Sequence, residues 1–381
     1  MTPRFAYPSV FMFVALTGWP AASRTEARAP NSQSQIIDVA IDAFRRANPR
    51  AATVSIGVVQ EGRTSTHHSG TAGTPASGIP DADSIYPIAS ITKTFTGTLL
   101  AQAVIDRKVT LEDDVRKYLP GSYPNLEFEG RPIQLAHLVN HVSGLPFNLP
   151  DIAENRPPFP KPVAPAVRDR LAKYDRPAFF ADLRQVTLVS APGSVPPKYS
   201  NAGAVLLSLV LERIHDRPFN DIVSRQIAVP LGMRDTTISL SPGQRSRVLT
   251  GHSPEGRVEA GEEGLLLGAG ALKSTTRDLL KYVQWQIDES DPAVKLSHVP
   301  TFTAGNYSMG LNWQTVQAGN YRRIWQEGTI PGFSCVAVAF PELKLGLIVL
   351  TNQEDPESSA ALSQLVRQIA SGLEPRSTPL F

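Results

Sequence analysis

Apolar positions along the chain recur with two different periods, and the change from one to the other divides it. From Ser34 to Asn48 the residues Ile36, Ile37, Ala40, Ile41 and Phe44 form one stripe closed by Pro49, which predicts a helix. Thr53 to Gln60 then reads as a strand. Glu61-Gly62 turns it into a second strand near Arg63 to His68, with His67 and His68 as solvated strand positions. After Tyr86 a helical spacing opens: Ile91, Phe95, Leu99 and Val104 fall on or near one face, with Pro87 ahead of them. Val109 to Pro120 is a connector. Helices are predicted over Ile133 to His141, Arg176 to Val186, Asn201 to His215, Phe219 to Ile227 and Thr275 to Ile287.

Two stretches resist either period. Pro146 to Pro165 is too rich in proline for a helix or a central strand, and reads as an ordered surface loop, either bordering a cleft or an inert excursion. Pro242 to Gly264 is rich in glycine, serine and charge, and reads as a loop or irregular hairpin. Beyond residue 300 the pattern becomes strand-like. Met309 to Val316, Tyr321 to Gln326, Phe333 to Phe340 and Leu345 to Thr351 are separated by turns at Ala318-Gly319-Asn320, Pro331-Gly332 and Pro341-Glu342, and Pro356 to Ser371 closes as a helix. Strand-rich ends bracketing a helical middle indicate an α/β (α+β) fold: an antiparallel sheet flanked by the N- and C-terminal helices, not a parallel doubly wound sheet.

Composition narrows the functional classes. With 381 residues, 41% apolar and 19% charged, the chain can build a large core. A net charge of +2 and the lack of any basic run argue against a nucleic-acid-binding role. The single cysteine, Cys335, excludes an internal disulfide, and its apolar strand context suits inert packing. Residues 1–29 read as an export signal: Arg4 leads the apolar run Phe5 to Trp19, and Ala21-Ala22-Ser23 or Ala27-Arg28-Ala29 supplies small residues for cleavage. This predicts a periplasmic or secreted protein, with an uncleaved anchor as the alternative. His137 and His141 stand four apart, as zinc ligands can, but Leu138 occupies the place where a zincin carries glutamate and no third ligand follows. They read as structural histidines, with no metal and no organic cofactor.

Three short segments carry candidate chemistry. Ser90-Ile-Thr-Lys93 sets a hydroxyl and an amine three residues apart on one helical face. Alone, this is equally an N-cap serine with a surface lysine. As chemistry, a serine needs a neighbouring base, and a lysine becomes one when burial lowers its pKa. Lys198-Tyr199-Ser200-Asn201 lies between a proline-rich turn and an apolar helix. Its tyrosine can share a proton with the serine, and its Asn201 amide can bond lysine and a substrate carbonyl; alone it is a buried tyrosine and a helix cap. Trp325 to Phe333 is a strand edge where Gly328 lets a substrate approach the backbone, and the Thr329 N–H can complete an oxyanion hole with that of Ser90.

Together these segments resemble the serine β-lactamase/penicillin-binding protein superfamily of the class C type, over about residues 36–373. Leu138 to Pro146, Pro230 to Thr236, Gly268 to Asp278 and Pro331-Gly-Phe333 look like further landmarks of that family in family order. The span Tyr118 to Pro150 is most similar to its periplasmic DD-carboxypeptidase/endopeptidase branch. The resemblance implies a β-lactamase/transpeptidase-like fold: a sheet subdomain (about 34–88 and 301–373), an inserted helical subdomain (about 89–300) and a tail over 374–381. It implies an acyl-serine intermediate with Ser90, Lys93 and Tyr199 as catalytic residues, and Asn201, Gln326, Gly328 and Thr329 at the substrate. That substrate is a small molecule or cell-wall peptide, a β-lactam or a D-alanyl-D-alanine chain. A carboxylesterase on the same site and a silent penicillin-binding module are the alternatives. One departure stands out: the family usually carries Lys or His where Gln326 stands and Thr or Ser where Glu327 stands. A neutral Gln326 weakens the hold on a substrate carboxylate.

Overall fold

The computed structural model describes residues 32–48, 53–71, 78–157, 164–194, 196–252, 258–259, 265–354 and 358–381. The segment read as an export signal lies outside them. Eight strands make one antiparallel sheet: β1 (Thr53–Gln60), β2 (Arg63–Gly70), β3 (Phe302–Ala304), β4 (Tyr307–Met309), β5 (Gln314–Ala318), β6 (Tyr321–Ile330), β7 (Phe333–Phe340) and β8 (Leu345–Thr351). Their order is β2-β1-β8-β7-β6-β5-β4-β3, so the first and last strands of the chain pair with each other, one strand in from the β2 edge.

Strand alternation explains the layers. On β7, Val336, Val338 and Phe340 face one side and Cys335, Ala337 and Ala339 the other, and all are buried. The first set packs with Ile37, Ile41 and Phe44 of helix α1 (Gln33–Ala47) and with Leu362, Leu365 and Ile369 of the C-terminal helix Ser358–Leu373. The second set joins the larger core of the helical middle. There the helix Thr276–Asp288 lies so close that a Cβ on Gly57 of β1 would stand 2.9 Å from Leu280. Residues Pro375–Leu380 form a tight helical turn whose Leu380 and Ser377 are buried.

Several local expectations change. The helix expected over Ile133 to His141 is a single turn and a half, Leu135–Val139, because His141 takes a left-handed conformation (φ 57°). The expected strand Met309 to Val316 breaks in two at a tight turn, where Gly310 N–H bonds Trp313 O and Asn312 has φ 64°. Phe219 to Ile227 starts as α-helix and ends as a π-turn over Ser224–Ala228. His67 and His68 are half-buried rather than solvated, and His68 Nδ1 lies 2.9 Å from Ser55 Oγ. Pro165–Ala172 and Pro292–His298 are short helices that periodicity did not announce. Among the described residues no helix is long and apolar enough to cross a membrane.

Candidate active site

The site is assembled where three elements meet. The first is a strand-to-helix turn. Ile85–Pro87 pairs with Lys273–Thr275, and the chain then folds through a helical turn, Ala89–Ile91, into α2 (Thr92–Ile105). Ala89 has φ 43°, a strained setting for a residue with a Cβ, and it sits immediately before Ser90. The cap expectation for Ser90 does not hold. No side chain caps this turn, and the Ser90 hydroxyl is engaged elsewhere. Thr94 and Thr98 return their hydroxyls to the carbonyls of Ile91 and Thr94, and Thr96 bonds Gly268 O. A helix buried on all sides thus tolerates its threonines and delivers Lys93 to the interior.

Lys93 is fully buried. Its Nζ lies 3.0 Å from Ser90 Oγ, 2.8 Å from Asn201 Oδ1 and 2.6 Å from Ala269 O. Burial holds its pKa well below the usual lysine range, because no opposite charge offsets the loss of water around an ammonium.

The second element is the helix α3 (Asn201–His215) with the turn before it. Ser200 caps α3 by accepting Gly203 N–H at 2.9 Å, and Ser200 N–H donates to His141 Nδ1 at 3.2 Å. That bond explains the left-handed turn at His141. The imidazole must face α3, where burial first, and then the Lys93 charge, drive its pKa down to about 3. His141 is therefore a neutral buttress, its ring 4.5 Å from that of Tyr199. His137 points elsewhere and accepts Gln134 N–H through Nδ1 at 3.0 Å. Tyr199 OH donates to Ser90 Oγ at 2.6 Å, and its ring centroid lies 4.7 Å from Lys93 Nζ. Burial raises the Tyr199 pKa, and the hydrogen bond to Ser90 offsets this only in part. In both groups burial disfavours the charged form.

The third element is β6. A Cβ on Gly328 would stand 2.4 Å from Ser90 N and 2.8 Å from Ala89 Cβ, so only glycine lets the strand backbone lie against the Ser90 N–H. Opposite Gly328 on β7, the Cys335 thiol donates to Ile88 O at 3.1 Å, and it lies 3.5 Å from Gly328 O. Thr329 is exposed and pairs with Ser334 across β7. Gln326 is buried on the Gly328 face, but its amide is occupied internally. Nε2 donates to Asn312 O at 3.1 Å, while Oε1 accepts Gln314 Nε2 at 3.3 Å and Glu327 N–H at 3.1 Å. Glu327 turns to the other face, where it accepts the Ser359 hydroxyl at 2.6 Å.

Two participants had no sequence signal of their own. Ala269 contributes only a carbonyl, which any residue has. Asn148 lies in the proline-rich stretch, and its Oδ1 accepts Asn201 Nδ2 at 2.9 Å, so that stretch borders the site. Beside the Ser90 turn a cavity of about 860 Å³ opens, lined among others by Pro87, Tyr174, Leu266, Gly270 and Ile330. Among the described residues no group of three or more His, Cys, Asp or Glu could hold a metal ion.

The comparisons with known proteins converge. The D-alanyl-D-alanine-carboxypeptidase/endopeptidase AmpH of Escherichia coli (strain K12) is 33% identical over 205 residues, covering 54% of this chain and 49% of AmpH. The match thus spans about half of that relative. A β-lactamase of Lysobacter lactamgenus is 21% identical over 362 residues, covering 84% of this chain and 87% of its own. The crystal structure of a β-lactamase/D-alanine carboxypeptidase from Yersinia pestis, complexed with citrate, superposes with a TM-score of 0.72 at 25% identity, covering 89% of this chain and 98% of its own. The family model for Beta-lactamase matches residues 40–371, from the middle of α1 to the end of the C-terminal helix, and the chain belongs to that family.

Proposed function

We propose that the protein is a serine hydrolase of the DD-carboxypeptidase/β-lactamase kind, acting through an acyl-serine intermediate. The observation that carries this reading is that Ser90 Oγ lies within hydrogen-bonding distance of both Lys93 Nζ, three residues on, and Tyr199 OH, 109 residues on. Lys93, its ammonium form disfavoured by burial, takes the Ser90 proton as Oγ attacks the carbonyl carbon. The N–H groups of Ser90 and Thr329 receive the developing oxyanion. Tyr199, held protonated by burial, returns a proton to the leaving group and is resupplied from Lys93; the two titrate as a coupled pair. Collapse of the intermediate expels the leaving group and leaves the acyl-enzyme. Water, deprotonated by the same pair, then frees Ser90. Asn201 orients Lys93.

The relatives named as carboxypeptidases and β-lactamases support D-alanyl-D-alanine peptides or β-lactams as substrates. A specific observation favours a second reading, a carboxylesterase on the same site. Gln326 is uncharged and its amide is already bonded, so it offers no cation to a substrate carboxylate. The apolar N-terminal run supports an exported protein working at the cell envelope. Intact-mass spectrometry after exposure to penicillin tests the core of the reading. A penicilloyl adduct that vanishes in Ser90→Ala supports it. No adduct, together with no turnover of a chromogenic cephalosporin, a D-alanyl-D-alanine peptide or a short-chain ester, overturns it in favour of a silent module.

A further inference from the structure

Lys93 acts as a base only if its lone pair points at Ser90. Of its three oxygen neighbours, Ala269 O is an acceptor by nature, and Asn201 Oδ1 is one only while the amide is turned with its oxygen inward. An asparagine amide has nearly the same shape either way round, so Asn201 alone does not fix its own sense. The loop after Pro146 does. Asn201 Nδ2 donates to Asn148 Oδ1 at 2.9 Å. Asn148 Nδ2 donates to Asn155 O at 3.0 Å and Asn155 Oδ1 at 2.7 Å. Asn155 Nδ2 donates to Pro150 O at 3.2 Å. Two of these acceptors, Asn155 O and Pro150 O, are main-chain carbonyls and cannot invert. Each amide therefore has one permitted sense, and the series ends at Lys93.

We propose that Asn148 and Asn155 are positioning residues: through Asn201 they turn two Lys93 N–H bonds toward Asn201 Oδ1 and Ala269 O and leave its lone pair for the Ser90 hydroxyl. This rests on the acyl-serine reading above. It gives the proline-rich loop a part in the chemistry without contact with the reacting atoms.

The test is the rate at which a fluorescent penicillin labels Ser90 in the full-length protein, followed against pH, with thermal melts alongside. The low-pH limb of that profile reports protonation of Lys93. Asn148→Ala frees Asn201 to invert and deprives Lys93 of an acceptor, which disfavours the ammonium. Labelling slows about tenfold, the worth of one net hydrogen bond, and the limb moves to lower pH. Asn148→Asp puts a carboxylate one amide away from Lys93, favours the ammonium, and moves the limb to higher pH. Asn155→Ala moves it in the same direction as Asn148→Ala, by less. Opposite displacements in the two Asn148 variants support the proposal. Limbs fixed at the wild-type pH overturn it, even where labelling slows with loss of thermal stability, since that is what a structural role alone produces. If Asn148→Ala does not fold, the near-isosteric Asn148→Asp and the more distant Asn155→Ala decide the question. Labelling that survives Ser90→Ala overturns the acyl-serine reading instead.

Discussion

Gly328→Ala is the sharpest perturbation of this site, because it adds one methyl group and no charge. That methyl would stand 2.4 Å from Ser90 N, 2.8 Å from Ala89 Cβ and 3.2 Å from Ala89 C, whereas ordinary contact begins at 3.4 Å. The two backbones must therefore part by about 1 Å. Neither side yields easily. Ala89 is already held at φ 43°, and the Cys335 thiol bonds Ile88 O while lying against Gly328 O from beneath. Overpacking of this kind costs about 1–3 kcal/mol of stability. The catalytic loss is larger, since displacing reacting groups by about 1 Å costs around 10²-fold and losing one oxyanion donor around 10²–10³-fold. The expected result is a fall of about 10²–10³-fold in the rate of penicillin labelling and in kcat/KM. Gly346→Ala is the packing control. Its methyl meets Val283 Cγ1 at 2.3 Å and Ile287 Cδ1 at 2.8 Å, in the core of the sheet rather than at the Ser90 turn. It should lose stability and keep the wild-type labelling rate in the fraction that remains folded. Gly328→Ala labelling at the wild-type rate, or Gly346→Ala slowed as severely, refutes the reasoning.

Three further outcomes are expected. Tyr199→Phe removes the O–H that donates to Ser90 Oγ and should lower kcat by about 10²–10⁴-fold while the melting temperature holds, as kinetics and melts on the same sample will read. Gln326→Leu leaves Asn312 O and Glu327 N–H without their partner and should cost about 1–3 kcal/mol of stability with KM for a short-chain ester unchanged; a raised KM at unchanged stability would instead mark Gln326 as a substrate contact. His141, with a folded pKa of about 3 against 6.5 in the unfolded chain, refuses a proton that the unfolded chain accepts. Its contribution is fully present above pH 6.5 and is lost as pH falls toward 3, by about 3–5 kcal/mol. His141→Gln should flatten that part of the stability–pH curve measured by urea unfolding.

Much of the fold was legible because its elements obey one period over a sufficient length. Asn201–His215, Thr53–Gln60, Phe333–Phe340 and Leu345–Thr351 carry the same bounds in the chain pattern and in the structure. The misreadings fall where a tertiary contact overrides local preference. His141 leaves the helix to accept Ser200 N–H, and the Met309–Val316 run breaks where Gly310 passes so close to Ser297 O that a Cβ would stand 2.4 Å from it. Of the candidate residues, Ser90, Lys93, Tyr199 and Asn201 are brought together as their motifs implied. Gln326 shares their side of β6 but spends its amide on the strand turn behind it.

The sequence by itself determined which groups are available: a hydroxyl and an amine one helical turn apart, a phenol and an amide beside a helix start, and a glycine at a strand edge. Only the tertiary structure decided that Lys93 is buried away from water, which disfavours its ammonium form. It also decided that the Asn148 loop faces inward. Desolvation and amide orientation are properties of everything packed around a group, and no local pattern of residues encodes them.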